Sequence, residues 1–342
     1  MEGTHLVATA IAYPDLVGPV TAGDEVLLNT TAVELGLGTG GVHFVVAVLG
    51  AVAADDVVPG RVMKLRYTPS QTAVSSVEET HRGQLEASPG LEGVPVVCAP
   101  LHSMIAPVAA GAKVAGDGAR VVYVMTDGAA LAGAFSRLVV QLRDAGLLDG
   151  WITCGQAFGG ELEAVTVWTG MLAAKEVLGG EVIVVADGPG NLGTDTMWGV
   201  SALAGGNALN AAAVLGGRPV PALRVSFADV RARHRGVSHH TLTILSKVCL
   251  VETNVPVPAL EDDGEREAVW AALRDARLEG RHQLVEVSGG PALDELVRRG
   301  VEVTSMGRGP GDDPAFFHAA GAAGVLAGRM ASGTRRWRSP TD

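Results

Sequence analysis

Apolar and polar residues follow two different patterns along this chain, and the pattern changes near residue 94. In the first 70 residues, short apolar runs are separated by Pro or Gly, which is typical of short β-strands. Strands are predicted over residues 5–13, 25–33, 43–48 and 61–68. In the last of these, Met63, Leu65 and Tyr67 alternate with polar residues, as in a half-buried strand with a basic outer face. The pattern therefore predicts a small β-rich, barrel-like domain over residues 1–70.

Beyond residue 94 the pattern predicts strands and helices that alternate. Residues 71–93 are polar, and we predict a linker with a short helix there. Strands are predicted at 94–99, 120–127, 151–155, 181–187, 223–229, 249–255, 284–287 and 301–304. Helices are predicted at 103–115, 131–145, 161–178, 197–215, 265–274, 292–299 and 314–330. Because several strands are near-continuous Val/Ile runs, residues 94–330 are predicted to form an α/β domain with a mostly parallel, doubly wound sheet, followed by a flexible tail at 331–342.

Composition and charge narrow the classes of protein. Lys and Arg number 26 against 37 Asp and Glu, and the net charge of −11 argues against a DNA-binding surface. The same balance disfavours RNA contact through Lys64, Arg66 and Tyr67. No basic, apolar leader and no apolar run of about 20 residues is visible, so we expect a soluble, cytoplasmic protein without membrane association. The three cysteines lie far apart, which predicts neither a disulfide framework nor a zinc knuckle.

A glycine-rich segment at residues 188–196 is predicted to connect a strand to a helix. Glycine lets backbone N–H groups converge, and a helix start adds positive potential, so the segment predicts an anion cradle. The predicted substrate-binding residues are Gly188, Gly190, Asn191, Gly193 and Thr194. No Gly-Lys-Ser/Thr follows, which excludes the nucleotide-binding P-loop. The alternative is a glycine-rich turn in which Thr196 or Asp195 caps the helix.

Acidic residues follow three of the predicted strands. Asp127, Asp187 and Asp229 each end a strand, and parallel strands would bring them to one edge of the sheet. Converging carboxylates either hold a metal ion such as Mg²⁺ or shift one another's pKa, whereas the alternative is that they only cap helices. Asp187 and Asp195 flank the predicted cradle and would repel an anion unless a cation intervenes. That conflict favours Asp127, together with Glu161 at the start of a predicted helix, as the reactive acids.

The segment at residues 233–240 concentrates basic side chains in an acidic chain. Its Arg235 and histidines suit an anionic substrate. Adjacent residues on a helix point about 100° apart, so His239 and His240 are not predicted to form a metal-binding pair. Either could act as a general acid or base, or as a single ligand that completes a carboxylate site, and the alternative is a solvated cap. His102, after another strand, is a further candidate.

Short motifs spread over nearly the whole chain carry a resemblance to a known family. They are Thr126-Asp127-Gly128, Ala157-Phe158-Gly159-Gly160, Gly188-Pro189-Gly190, Arg235-Gly236-Val237-Ser238-His239-His240 and Met306-Gly307-Arg308-Gly309, with the segments 26–41, 63–69 and 101–104. In these motifs the chain resembles a bacterial family known as domain of unknown function DUF 3866. The resemblance indicates the family but implies no particular activity, so the chemistry has to be inferred from the residues.

The residues favour an enzyme that acts on a small anionic metabolite, phosphorylated or carboxylated, by transfer or hydrolysis. Asp127 or Glu161 would be the base or metal ligand, His239 or His240 would donate a proton, and the glycine-rich segment would hold the anion with Arg235. We expect the catalytic candidates His102, Asp127 and Glu161 to open into one pocket with that segment. The alternative is a non-catalytic ligand-binding or scaffold protein, and assembly into a homo-oligomer is left open.

Overall fold

The computed structural model describes residues 7–37, 41–50 and 60–337. The chain divides into two units, residues 1–75 and residues 76–342. Of the helices in the described ranges, none combines the length and the apolar character that crossing a membrane requires.

The first unit contains a small mixed sheet and short helices. In chain order its elements are β1 (Ala10–Ile11), α1 (Pro14–Val17), β2 (Val26–Asn29), α2 (Thr31–Glu34), β3 (His43–Val48), β4 (Val62–Lys64) and β5 (Thr72–Val74). Strand β3 pairs with β1 in parallel and with β2 antiparallel, whereas β4 and β5 form a separate antiparallel pair. The described residues of this unit contain no closed sheet, so the predicted barrel is not confirmed.

The strand predicted at residues 61–68 ends at Lys64. Leu65 and Tyr67 have positive φ angles of 50° and 59°, and the Thr68 N–H donates to the Leu65 carbonyl, so the backbone turns here. Lys64 is buried and Tyr67 is exposed, which is the reverse of the predicted alternation. The prediction of a basic outer face was wrong because two residues in the left-handed region interrupt the strand.

The second unit contains a six-stranded parallel sheet. Its strands are β6 (Pro95–Cys98), β7 (Val121–Thr126), β8 (Gly150–Cys154), β9 (Leu162–Ala164), β10 (Val182–Asp187) and β11 (Arg218–Pro221). They lie in the order β11-β6-β10-β7-β8-β9, and each neighbouring pair is parallel. The Val/Ile runs explain this arrangement, because a strand such as β10 is buried along its whole length. The chain order reverses at β10, which lies between β6 and β7.

Helices and two smaller sheets complete the second unit. The helices are α3 (Val77–Thr80), α4 (Arg82–Glu86), α5 (Ile105–Ala115), α6 (Arg137–Asp144), α7 (Val167–Glu176), α8 (Ala204–Val214), α9 (His239–Thr243), α10 (Asp263–Asp275), α11 (Gly290–Arg298) and α12 (Pro314–Trp337). The smaller sheets pair β12 (Val225–Ser226) with β13 (Gly236–Val237), and β14 (Asn254–Pro258) with β15 (Gln283–Val287). The strands predicted at 223–229, 249–255 and 284–287 therefore do not join the main sheet. Helix α12 includes residues 331–337 of the predicted tail, and residues 338–342 lie outside the described residues.

Helices cover both faces of the six-stranded sheet. On one face, Val121, Tyr123 and Met125 of β7 belong to a core shared with α5, α11 and α12. On the other face, Val122 and Val124 of the same strand belong to a core shared with α7 and α8. Alternating residues of one strand thus enter two separate cores, which confirms an α/β unit built on a parallel sheet.

Candidate functional site

Three parallel strands end side by side where the chain order reverses. Strands β6, β10 and β7 end at Cys98, Asp187 and Thr126. His102 follows β6, Asp127 follows β7, and the glycine-rich segment follows β10. These predicted site residues therefore lie at the same carboxyl edge of the sheet, where open α/β sheets bind their ligands.

Asp187 ties several segments together at this edge. Its side chain is 5% exposed. Oδ1 accepts hydrogen bonds from Thr126 Oγ1 (2.6 Å) and the Gly128 N–H (3.1 Å), and Oδ2 accepts one from Asn191 Nδ2 (2.8 Å). Burial raises the pKa of Asp187, while the three hydrogen bonds oppose that rise. A carboxylate bonded in this way anchors the glycine-rich loop, because both of its oxygens accept hydrogen bonds from the surrounding chain.

The two acids predicted to react lie at opposite edges of the sheet. Asp127 follows β7, is exposed, and accepts a hydrogen bond from the Gln156 N–H (2.7 Å). Glu161 precedes β9 and so lies at the amino edge, where it forms an ion pair with Arg143 and accepts a hydrogen bond from the Trp151 N–H (3.2 Å). The predicted single pocket that includes both acids is therefore wrong.

Glu161 was misplaced because residues 161–178 are not one helix. Residues Leu162–Ala164 pair with β8 as strand β9, and α7 begins only after Thr166. The Oγ1 atom of Thr166 accepts a hydrogen bond from the Thr169 N–H (3.2 Å), so Thr166 caps the helix. An acid at the start of a parallel strand is necessarily at the edge opposite to the strand ends.

Asp229 also lies away from the predicted acidic cluster. Strand β12 ends at Ser226 outside the main sheet, and the Asp229 carboxylate is buried against arginines. Its oxygens accept hydrogen bonds from Arg231 Nε (2.9 Å) and Nη2 (2.8 Å) and from Arg224 Nη2 (3.2 Å). The hydrogen bonds from Arg231 hold the pKa of Asp229 well below its usual range. The predicted convergence of three acids is wrong, because β12 does not belong to the main sheet whose edge carries Asp127 and Asp187.

His102 connects strand β6 to the start of α6. Nδ1 lies 3.2 Å from the Asp187 carbonyl oxygen, and Nε2 lies 2.7 Å from Ser136 Oγ. The Tyr123 hydroxyl lies 3.3 Å from Nδ1 as well, and Ser136 Oγ also accepts a hydrogen bond from the Val139 N–H (3.1 Å). Burial lowers the pKa of His102 to about 4. Both ring nitrogens are thus engaged with protein atoms, and the ring is neutral at pH 7.

The burial of His102 predicts a loss of stability in mild acid. The unfolded chain binds a proton at His102 below pH about 6.5, whereas the folded chain does so only near pH about 4. Stability from this residue is therefore present above pH about 6.5 and is lost as the pH falls toward about 4. Between pH 7 and pH 5 the free energy of unfolding should fall by about 2 kcal/mol through His102 alone.

Urea denaturation in the presence of a chelator would measure this effect in the wild-type chain and in a His102→Gln variant. The variant should be less stable at pH 7 but should lose less of its remaining stability between pH 7 and pH 5. Parallel pH profiles for the two proteins would mean that His102 is not held neutral by burial.

The glycine-rich segment forms a loop that folds back on itself, not the start of a helix. The Thr194 N–H donates to the Gly199 carbonyl (2.8 Å), the Leu192 N–H donates to Ser201 Oγ (3.2 Å), and α8 begins only at Ala204. The helix predicted from residue 197 therefore starts later than expected. The positive end of a helix cannot contribute to an anion cradle at residues 188–196.

Two glycines of this loop are needed for different reasons. Gly190 has a φ angle of 91°, which residues with a Cβ rarely adopt. Gly188 is needed for space, because a Cβ there would lie 2.6 Å from the backbone carbonyl oxygen of Ala130. A Cβ at Gly193 would lie 3.6 Å from His240 Cε1, so this part of the loop lies beside the histidines.

Three histidines converge where this loop meets α9. His234, His239 and His240 each offer one ring nitrogen, and the three nitrogens lie within 4.8 Å of one another. The ring centroids of His239 and His240 are 3.9 Å apart, and each lies 5.4 Å from the centroid of His234. This spacing suits three ligands of a single metal ion.

The backbone around α9 explains why the rings meet. His234 ends a 3₁₀ turn before β13, and His239 and His240 form the first turn of α9. Side chains on a helix tilt toward its N-terminus, so rings in the first turn can converge beyond the helix end. The helical spacing of His239 and His240, which did not predict a metal-binding pair, did not anticipate this convergence. The His-x4-His-His spacing was the sequence signal of the group, which His234 completes. Helix α9 continues as a π-helical turn, Ile244–Val248, a rare feature often found at functional sites.

The ring nitrogens are available to a metal ion. Nε2 of His239 and Nε2 of His240 are buried without a hydrogen-bond partner among the described residues. Nδ1 of His234 lies 2.8 Å from Ser238 Oγ, and the backbone of Thr196 interacts with the His240 ring, so these two rings are oriented by neighbours. Burial lowers the pKa of His234 to about 3, and it lowers the pKa of His239 and of His240 as well. All three rings are therefore neutral at pH 7, as metal ligation requires.

Arginines from the neighbouring chain segment surround the histidines. Arg233 forms an ion pair with Asp195 of the glycine-rich loop, so a cation offsets the acid that would otherwise repel an anion. Arg235 is exposed and interacts electrostatically with Glu265 of α10. The positive potential at the histidines therefore comes from Arg224, Arg231 and Arg233, which all depress the pKa of His234.

The donor set decides which ions the group could hold. Neutral imidazoles suit Zn²⁺ and other transition metal ions, whereas Mg²⁺ prefers oxygen ligands. In the parts of the chain that the structure describes, the group has three members and no fourth protein ligand. Catalytic zinc sites keep such an open position for water or substrate, and structural zinc sites fill it with protein. A metal ion held by His234, His239 and His240 would supply a Lewis acid able to activate water or to polarise a substrate oxygen.

Comparison with known families matches residues 9–324 to the proteins of unknown function DUF3866. The match covers most of the chain, so the chain belongs to this family, as the motifs predicted. Neither a curated protein nor a solved structure matches it. The description of the family assigns no activity, and the function has to be argued from the chemistry of the site.

Proposed function

We propose that the chain is a metal-dependent enzyme that acts on a small anionic metabolite by hydrolysis or group transfer. The observation that carries the proposal is the convergence of His234, His239 and His240, whose ligand nitrogens lie within 4.8 Å. Nε2 of His239 and Nε2 of His240 are buried without a partner in the described ranges, which is unfavourable unless a ligand satisfies them. Zn²⁺ is the ion that this donor set suits best.

The open coordination position favours catalysis over a structural role. A zinc ion with three protein ligands lowers the pKa of its bound water toward about 7 and polarises a substrate carbonyl or phosphoryl oxygen. The residues of the chain would supply the rest of the site. The loop at Gly193 and Thr196 lies against the His240 ring, so it would shield one side of the ion from bulk water.

Charge at the site favours an anionic substrate. Three neutral imidazoles leave the two positive charges of a zinc ion uncompensated, and arginines add to the positive potential. Asp195 and Asp229, the acids nearest in the network, are paired with arginines. A bound anion is the group that would balance the remaining charge.

Metal-dependent turnover is the test of this function. The purified chain should bind about one Zn²⁺ or Co²⁺ per molecule. A panel of phosphate monoesters and carboxylate esters should include at least one substrate whose turnover stops on chelation and returns with added metal. A His234→Gln/His239→Gln double variant should lack that turnover, whereas His81→Gln, which changes a histidine between α3 and α4, should retain it.

Two results would contradict the proposal. Spectroscopy of the Co²⁺-loaded chain could show four protein ligands, which would indicate a structural metal site. A chain that binds metal and anions but turns over none of the esters would favour the non-catalytic ligand-binding role.

A further inference from the structure

We infer that three arginines beside the histidines bind a phosphoryl group of the substrate, an inference that rests on the proposed function. Arg224, Arg231 and Arg308 direct their guanidinium groups at the same carboxylate, that of Asp229. The Nη2–Oδ2 distances are 2.8 Å for Arg231, 3.2 Å for Arg224 and 4.0 Å for Arg308. Arg224 and Arg231 lie on either side of β12 in one segment, whereas Arg308 comes from a distant one, so the fold assembles the cluster.

The cluster carries more positive than negative charge. Its second acid is Asp313, whose Oδ2 accepts hydrogen bonds from Ser226 Oγ (2.6 Å) and Arg308 Nε (3.3 Å). Three guanidinium groups against the two carboxylates of Asp229 and Asp313 leave a net charge of +1. Both carboxylates are buried, whereas the side chains of Arg231 and Arg308 are 37% and 27% exposed. The excess charge is therefore on the side that a ligand can reach.

The cluster adjoins the histidines through the β12–β13 hairpin. The Ser238 N–H donates to the Arg224 carbonyl (2.9 Å), which places Arg224 next to the residue that precedes His239. Ser238 Oγ in turn lies 2.8 Å from Nδ1 of His234, so Ser238 contacts both Arg224 and a histidine of the group. An anion held by these arginines would lie within the electrostatic reach of a metal ion on the histidines.

Arg308 is presented by a tight two-residue turn whose first central residue, Met306, has an unusual backbone conformation. Ser305 and Arg308 exchange two backbone hydrogen bonds (2.8 and 3.0 Å), with Met306 and Gly307 between them at φ angles of 52° and 76°. A residue with a Cβ rarely adopts such a φ angle, and strained conformations of this kind cluster at functional sites. The motif at residues 306–309, which the proposed function does not otherwise use, thus acquires a role in placing Arg308.

A phosphoryl dianion fits this site better than a carboxylate. The metal ion would bring two positive charges and the arginine cluster adds one, so a dianion balances the site more closely than a monoanion. A phosphoryl group also has three terminal oxygens, which could contact the metal ion and the forked guanidinium groups at once. A carboxylate has two oxygens and a single negative charge.

Thermodynamic coupling between metal ion and phosphate provides the test. Co²⁺ affinity would be measured with and without inorganic phosphate, with chloride used to match the ionic strength. In the wild-type chain, saturating phosphate should tighten Co²⁺ binding about tenfold, within the usual range for coupled sites. Acetate, as the carboxylate probe, should change the affinity by less than about twofold.

Variants of Arg308 test whether the coupling between Co²⁺ and phosphate depends on the arginines. Arg308→Gln should reduce the effect of phosphate to less than about threefold, and Arg308→Lys should give an intermediate value, because it keeps the charge and loses the fork. Arg82→Gln, which breaks an exposed ion pair on α4, is the matched control and should behave as the wild type. Unchanged Co²⁺ affinity of Arg308→Gln without phosphate would show that the variant is folded.

The outcomes separate this inference from the proposed function. Equal coupling in wild type and in both Arg308 variants would overturn the role of the arginines, and equal effects of acetate and phosphate would overturn the phosphoryl class. Either result would leave the metal-dependent activity standing. A wild-type chain that does not bind Co²⁺ would overturn the proposed function and this inference with it.

Discussion

A His240→Gln variant is expected to bind Zn²⁺ about 100-fold more weakly than the wild-type chain. Zinc sites with four ligands have apparent binding free energies of about 10–16 kcal/mol, or about 3 kcal/mol per ligand. A loss of about 2.7 kcal/mol corresponds to about 100-fold in the dissociation constant. Because Nε2 of His240 has no hydrogen-bond partner in the described part of the chain, the substitution removes a metal ligand without breaking another bond of that atom. Competition with a chelating dye would measure the affinity.

The matched control for this variant is His81→Gln, which should bind Zn²⁺ as tightly as the wild type. Without metal, the melting temperature of His240→Gln should stay within about 4 °C of the wild type, since the substitution removes the contact with the Thr196 backbone but no hydrogen bond of Nε2. Equal Zn²⁺ affinity in His240→Gln and wild type would exclude the three-histidine site. If His240→Gln and His81→Gln lost Zn²⁺ affinity equally, the loss would not be specific to the three-histidine group, and the metal would bind elsewhere on the chain.

The four central strands of the six-stranded sheet, β6, β10, β7 and β8, could be predicted because their signal is local, whereas the outer strands β9 and β11 were not predicted. A strand buried on both faces must be apolar at every position, and β10 shows this as an unbroken run that ends in Asp187. The position of His102 and Asp127 at one edge follows from the same run of inferences, because both come after strands that turned out to be parallel neighbours of β10. The apolar pattern therefore predicted both the strands and the edge of the sheet at which His102 and Asp127 lie.

Short elements were harder to predict because their residues satisfy several patterns at once. The three residues of β9 are too few to show a period, so Glu161 was assigned to a helix and to the wrong edge of the sheet. In the first unit, positive φ angles at Leu65 and Tyr67 end a strand that the alternation would extend. Such backbone conformations depend on the surrounding structure and leave little trace in the residue types.

The histidine group could not be predicted from helical spacing alone. That spacing describes side chains around the middle of a helix, whereas His239 and His240 are in its first turn and His234 lies before the preceding strand. Their convergence depends on the short β12–β13 hairpin and on the loop that packs Thr196 against His240. These are tertiary features. The sequence did indicate that residues 233–240 concentrate chemistry, but it assigned the metal to carboxylates.

An Asp187→Ala variant is expected to lower the free energy of unfolding by about 3 kcal/mol. The substitution leaves three donors without their acceptor, those of Thr126, Gly128 and Asn191, and a hydrogen bond to a charged group contributes about 1.5–3 kcal/mol. Relief of the desolvation that raises the pKa of Asp187 offsets part of the summed loss. Urea denaturation of the metal-free chain at pH 7 would measure the change.

Two further variants test whether the Asp187 carboxylate supports the glycine-rich loop or takes part in the reaction. Asp127→Ala removes an exposed carboxylate with one hydrogen bond to Gln156 and should cost only about 1 kcal/mol. Asp187→Asn keeps an acceptor for Thr126 and Gly128, so it should recover more than half of the stability lost in Asp187→Ala.

Zn²⁺ affinity should fall about tenfold in Asp187→Ala, because the bond from Asn191 to Asp187 anchors the loop that contacts His240. Residues that support metal ligands typically change metal affinity by about 10- to 100-fold. If Asp187→Ala were instead as stable as the wild type and bound Zn²⁺ normally but had no turnover, the carboxylate would belong to the reacting groups and not to the support of the loop.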